Sequence, residues 1–174
     1  DKLTGGLIAS VIKTEEFKGD VGETALIRFA PTGKVKASRL VLIGVGDKSE
    51  YLVSSVANVA GTVPRFVRKR TLKTVALMPR REGAAADIAQ SAGQGFATSQ
   101  FELDKYRTKD KNTKSVDSFV LFVDGADAGA LKTGLTRGQQ IGESMNFARD
   151  LANEPPNILH PTEMAKRAQA MAKE

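Results

Sequence analysis

The sequence predicts an α/β fold, a three-layer α/β/α sandwich, and two observations carry that reading. Short apolar runs rich in β-branched and aromatic residues alternate with longer stretches whose apolar residues recur at three- and four-residue steps, the signature of strands alternating with amphipathic helices. One of the runs, Leu40-Val41-Leu42-Ile43, is apolar on both faces, which suits a strand covered by helices on both sides rather than a half-solvated one.

Leu3, Leu7, Ile8, Val11 and Ile12 share one helical face and Gly19 follows as a stop signal, so a short helix is expected over residues 2–13. Two strands are expected over 24–30 and 39–44, separated by Pro31-Thr32-Gly33-Lys34, which supplies turn geometry. Leu52, Val56, Val59, Val63 and Phe66 form a helical stripe over 50–68, where Pro64 should kink or divide the helix. Val75-Ala76-Leu77-Met78 reads as a further buried strand, and an Ala-rich helix over 84–101 turns Ile88, Ala89, Ala92 and Phe96 inward. A basic loop, 105–114, leads to the strand Ser118-Phe119-Val120-Leu121-Phe122-Val123, chosen for its aromatic and β-branched content.

A long helix follows over 127–152. Leu131, Leu135, Ile141, Met145, Ala148 and Ala152 keep the three-and-four rhythm while Gly134, Gly138 and Gly142 imply close packing. Asn153-Glu154-Pro155-Pro156-Asn157 cannot continue it, because paired prolines remove amide donors and force extended geometry on the preceding residue. A boundary is therefore expected there, between a domain of residues 1–152 and a linker of residues 153–174. The linker helix starts with Pro161 at its first position and Glu163 in its first turn, and its apolar stripe of Met164, Ala165, Ala168, Met171 and Ala172 stops unfinished, as in a segment cut from a larger protein.

The 174 residues and 41% hydrophobic content suit one core with an appendage. With no Cys there is neither a disulfide framework nor a thiolate metal site, and a reducing, cytoplasmic setting is expected. No stretch approaches the ~20 apolar residues a membrane span needs, and no apolar leader opens the chain, so a soluble protein is expected. The formal charge of +6 is modest for a dedicated nucleic-acid binder.

The candidate sites are few. His160 is the sole histidine, so a metal site or a Ser-His-Asp triad would rest on this one side chain; a helix cap is the simpler role. Gly44-Val45-Gly46 follows a strand and precedes a helix, the context of a phosphate loop, but Ser49 stands where a dinucleotide fingerprint has its third glycine, which favours a structural turn. Asp124 with Asp127, and Glu15 with Glu16, lack partners at ligand spacing, and no catalytic or metal residue is assigned. A basic cluster remains. Arg65, Arg68, Lys69, Arg70, Lys73, Arg80 and Arg81, followed by Lys105, Arg107 and Lys109, could neutralise the phosphates of DNA, although no interleaved aromatics offer stacking platforms.

The segment from Asn146 to Glu163, with Arg149-Asp150-Leu151 and Asn153-Glu154-Pro155-Pro156-Asn157-Ile158-Leu159-His160-Pro161, resembles the interdomain segment of the leucyl aminopeptidase (cytosol aminopeptidase) family. Similar matches run through Phe17-Lys18-Gly19, Gly22-Glu23-Thr24, Arg39 to Gly46 and Phe101 to Lys109. The resemblance implies a macro-domain-like amino-terminal module with a mixed sheet. It also implies a separate catalytic domain holding two divalent metal ions, zinc or manganese, that removes amino-terminal residues from peptides within a cytoplasmic homohexamer. The family's metal ligands and catalytic Arg belong to an Asn-Thr-Asp-Ala-Glu-Gly-Arg signature and other parts of the carboxyl-terminal domain, and no segment here matches them. The implied role is non-catalytic, in subunit assembly or access control. The alternatives are a DNA-binding regulatory module and, by fold analogy alone, an ADP-ribose site. Family members usually carry a strand ahead of the helix that opens this chain, and often Thr or Ser where His160 stands.

Overall fold

The computed structural model describes residues 1, 4–31, 36–68, 70, 72–109 and 115–173. The order is α1 (Leu7–Lys13), β1 (Thr24–Arg28), β2 (Arg39–Ile43), a 3-10 turn at Lys48–Glu50, α2 (Ser55–Arg68), β3 (Thr74–Leu77), α3 (Ala85–Ser99), β4 (Ser118–Leu121), α4 (Ala128–Ala152) and α5 (Pro161–Met171). This is the expected α/β alternation with shorter elements. Lys2, Leu3 and the expected turn residues Thr32, Gly33 and Lys34 lie outside the described residues.

β1 pairs antiparallel with β2, Thr24 opposite Ile43 and Arg28 opposite Arg39. β3 pairs in parallel with β4, Thr74 opposite Ser118 and Leu77 opposite Leu121. Where one mixed sheet was expected, the described strands form two separate pairs. β2 and β3 instead border a cleft of about 600 Å3 whose other lining includes Val59, Val63 and Val67 of α2. Leu40 to Ile43 are therefore half-buried rather than sealed on both faces.

The helical packing explains further departures. α2 begins at Ser55, not at residue 50, because Asp47 caps a 3-10 turn by accepting from the Ser49 amide at 2.7 Å and Ser55 Oγ accepts from the Leu52 amide at 3.1 Å. Leu52 is consequently exposed, and the inward stripe is Val56, Val59, Ala60, Val63 and Val67. Pro64 does not divide α2; it sits fully buried within it. β3 ends at Leu77, leaving Met78 74% exposed, and β4 ends at Leu121, leaving Phe122 exposed. Phe96 of α3 stacks on Phe119 of β4 with ring centroids 4.5 Å apart, tying helix to strand.

α3 and α4 run side by side through their backbones. Gly134, Gly138 and Gly142 are the buried residues of α4. A Cβ added at Gly138 would stand 2.0 Å from the Gln90 carbonyl oxygen, and one at Gly134 2.2 Å from that of Ala86. The same contact recurs between α2 and α3, where a Cβ at Gly95 would stand 2.0 Å from the Ala57 carbonyl oxygen. The glycines lower helix propensity by about 1 kcal/mol each, so their value lies in letting the axes approach.

Ala at Gly138 gains helix propensity yet must force the α3 backbone away. We expect Gly138→Ala to lower unfolding free energy by about 1–3 kcal/mol, the usual cost of overpacking, read as a reduced urea midpoint at unchanged slope.

Candidate functional site

The basic residues singled out in the sequence divide into groups. Arg65, Arg68 and Arg70 sit at the carboxyl end of α2, and Lys69 between them lies outside the described residues. Arg80 belongs to the other end: its guanidinium lies 5.9 Å over the Tyr51 ring, just ahead of the α2 amino terminus. The 14 residues of α2 span roughly 21 Å at 1.5 Å per residue, so the two groups do not form one patch. Arg81 is anchored near Arg80 by donating to the Asp124 carbonyl at 2.7 Å.

Many of these cations are already paired. Arg68 meets Glu102, Lys73 meets Asp117 at 3.1 Å, Arg80 meets Glu82 at 2.8 Å, and Arg107 meets Asp104 at 3.3 Å. Lys105 meets Glu154, with Asp150 at 3.8 Å. Among the described residues Arg65, Arg70, Arg81 and Lys109 make no ion pair.

Two constructed features emerge. The first is a cleft of about 820 Å3 between the end of α2, the stretch that closes α3 and one side of α4, lined by Arg65, Phe66, Arg68, Arg70, Phe101 and Arg149, among others. Arg68 is buried and donates to the Ser99 carbonyl at 2.9 Å as well as to Glu102. Arg149, which the sequence presented only within the interdomain pattern, donates to the Thr98 carbonyl at 3.2 Å.

The second is a charged hub at Glu154. Its side chain is 1% exposed and accepts from Lys105 Nζ, Tyr106 Oη and, at 2.9 Å, Arg167 Nη1. Arg167 also donates to Glu163 at 3.2 Å. One carboxylate thus joins the loop after α3, the turn after α4, and α5. Hydrogen bonds from Lys105 and Tyr106 hold the Glu154 carboxyl down to about 2, well below its ordinary 4.5, and its hydrogen bonds push Lys105 and Tyr106 up. Lys105, a candidate phosphate contact in the sequence, has its charge satisfied here by Glu154.

His160 caps α5, its Nδ1 accepting from the Glu163 amide at 3.4 Å. Among the described residues no group of three or more His, Asp or Glu side chains is placed to hold a metal ion. The Gly44-Val45-Gly46 turn is stitched to the preceding loop, Gly22 donating to the Gly44 carbonyl at 3.0 Å and Gly46 to that of Gly19 at 2.9 Å. Glu23 holds that loop by accepting from the amides of Lys18, Gly19 and Asp20.

Residues 1–110 match the sequence model described as the cytosol aminopeptidase family, N-terminal domain. A probable cytosol aminopeptidase of Alkaliphilus metalliredigens is 33% identical over 178 residues, which take in 99% of this chain and 35% of that protein. The cytosol aminopeptidase of Pseudomonas aeruginosa is 30% identical over 181 residues, 100% of this chain and 36% of its own length. The chain thus spans about a third of the curated relatives it matches. Among solved structures, a mutant of tomato leucine aminopeptidase superposes with a TM-score of 0.79 over 97% of this chain and 33% of its own, at 21% identity. The bottromycin maturation enzyme BotP in complex with Mn gives 0.72 over 92% and 32%, at 19% identity.

The Glu154 hub carries a pH signature. Because its carboxyl is held lower in the folded chain, the stabilisation is complete above about 4.5 and drains away as pH falls toward about 2. Relaxation of the α5 amides measured by NMR should therefore be level from neutrality to about pH 5 and show loosening below that. In Glu154→Gln we expect α5 loosened throughout, with this pH dependence abolished.

Proposed function

The chain belongs to the cytosol aminopeptidase family, of which it carries the N-terminal domain, and on that premise we propose that it is a non-catalytic module that positions the rest of the protein. The observation carrying this reading is the Glu154 hub. The hub fastens the segment after Asn153 to the body of the domain through side chains drawn from three places in the chain. A module meant to orient a following domain needs such a rigid exit, since interdomain interfaces otherwise permit relative motion.

In this reading the boundary falls between residues 152 and 153. The whole protein is a cytoplasmic metallo-aminopeptidase that removes amino-terminal residues from peptides, with two divalent ions, zinc or manganese, held by a domain outside this chain. Its partners are that catalytic domain and further subunits of a homohexamer, and the module's work is assembly or access control. The DNA-binding alternative fits the placement of the cations less well. Arg80 and Arg81 lie at the opposite end of α2 from Arg65 and Arg70, and Lys73, Lys105 and Arg107 are already paired.

The finer architecture belongs to the same proposal. β1 pairs with β2 and β4 with β3, neither β2 nor β3 has a second paired neighbour among the described residues, and both line the same cleft. We read the two pairs as halves of one mixed sheet in a macro-like three-layer sandwich, with room for one further strand between them. Strands lie about 4.8 Å apart in a sheet, so β2 and β3 should be separated by about 10 Å. Nuclear Overhauser contacts between the backbones of Val41 and Ala76 are expected to be absent, and direct contacts would show collapsed, neighbouring strands.

Catalysis is tested on the purified, folded chain. Leucine-arylamide hydrolysis with and without added manganese or zinc should stay at the buffer rate, while metal-dependent turnover would defeat the non-catalytic reading.

A further inference from the structure

The 820 Å3 cleft gathers several guanidiniums that make no ion pair among the described residues, and we propose that it binds a small phosphate-bearing anion. Four arginines line it, Arg65, Arg68, Arg70 and Arg149, against one carboxylate, Glu102. Glu102 pairs with Arg68, so three guanidiniums face the cleft with no ion pair among the described residues. The carboxyl end of α2 adds about half a negative charge, which a single arginine more than offsets.

Neutral groups hold two of these guanidiniums in place. Arg70 lies 3.7 Å over the Phe66 ring and donates to the Phe66 carbonyl at 2.7 Å. Arg149 lies 5.9 Å from the Phe101 ring and donates to the Thr98 carbonyl and, at 3.3 Å, to Asn146 Oδ1. Each such guanidinium has five donors, so these contacts orient it and leave N–H groups for a ligand, reducing the ordering cost on binding. Arg65, exposed and without an ion pair among the described residues, adds the third charge.

The number of charges selects the ligand class. A lone carboxylate has one charge and matches one guanidinium, whereas a phosphate monoester carries nearly two charges on three terminal oxygens and can engage several. Phe66 and Phe101 offer an apolar wall for the carbon part of such a ligand. The volume lies in the range of small-molecule sites, roughly 300–1,000 Å3, while a duplex would need an extended stripe of cations.

Isothermal titration of the 174-residue chain with pyrophosphate at low ionic strength, beside inorganic phosphate, tests this. One pyrophosphate should bind per chain, Arg65→Ala and Arg149→Ala should each weaken it by about tenfold or more, and Arg81→Ala, at the far end of α2, should leave it unchanged. Circular dichroism checks each fold; if Arg149→Ala is perturbed, Arg65→Ala carries the test, since Arg65 makes no ion pair with the described residues. No heat at millimolar pyrophosphate would overturn the proposal, as would equal weakening by Arg81→Ala, which would mean diffuse attraction. Tight binding of a DNA duplex that pyrophosphate does not displace would overturn it in favour of a nucleic-acid surface.

Discussion

The structure depends first on backbone-to-backbone contact between helices. Gly95 brings α3 against Ala57 of α2, and Gly134, Gly138 and Gly142 bring α4 against α3. At these places a single methyl group would fall within about 2–3 Å of a carbonyl oxygen on the neighbouring helix, so side chains cannot be accommodated without moving whole helices. The spacing is thus set by main chain, which does not change rotamer, and groups carried at the helix ends inherit that fixity. Arg68, the Thr98-Ser99 carbonyls and Arg149 meet only because α2, α3 and α4 are locked together.

The Glu154 hub extends the same rigidity past α4. α4 alone would end at Asn153 and leave α5 to swing on the turn that follows. A carboxylate that is 1% exposed and met by Lys105, Tyr106 and Arg167 removes that freedom. A buried carboxylate with several donors is costly to leave half-satisfied, so the three contacts stand or fall together. That cooperativity suits a joint that keeps α5 in one orientation, as the role we propose for the domain requires.

Much of this was legible in the residues. Helical periodicity marked α2, α3 and α4, His160 fell where a cap was expected, and Pro155-Pro156 marked the end of α4. Leu52 misled because its spacing fits the α2 stripe, although the local Asp47 and Ser55 hydrogen bonds delay the helix until after it. The separation of β2 from β3 could not be read, since each strand has the composition of a sheet interior and periodicity says nothing about which edges pair. The glycines of α4 signalled close packing, but not that they, rather than Leu131 or Met145, are its buried residues. Charge was hardest of all: the basic residues look alike in sequence, and whether each is spent on a carboxylate depends on contacts such as Lys105 with Glu154, 49 positions apart.

In the role we propose, this domain orders its protein without taking part in the chemistry. The most direct measurement compares the intact protein with a form lacking residues 1–152, reading particle mass by analytical ultracentrifugation alongside bound metal and kcat/KM for a peptide. Metal content should persist while the assembly changes in mass or access to substrate is altered. Unchanged mass and unchanged kcat/KM in the shortened form would contradict it.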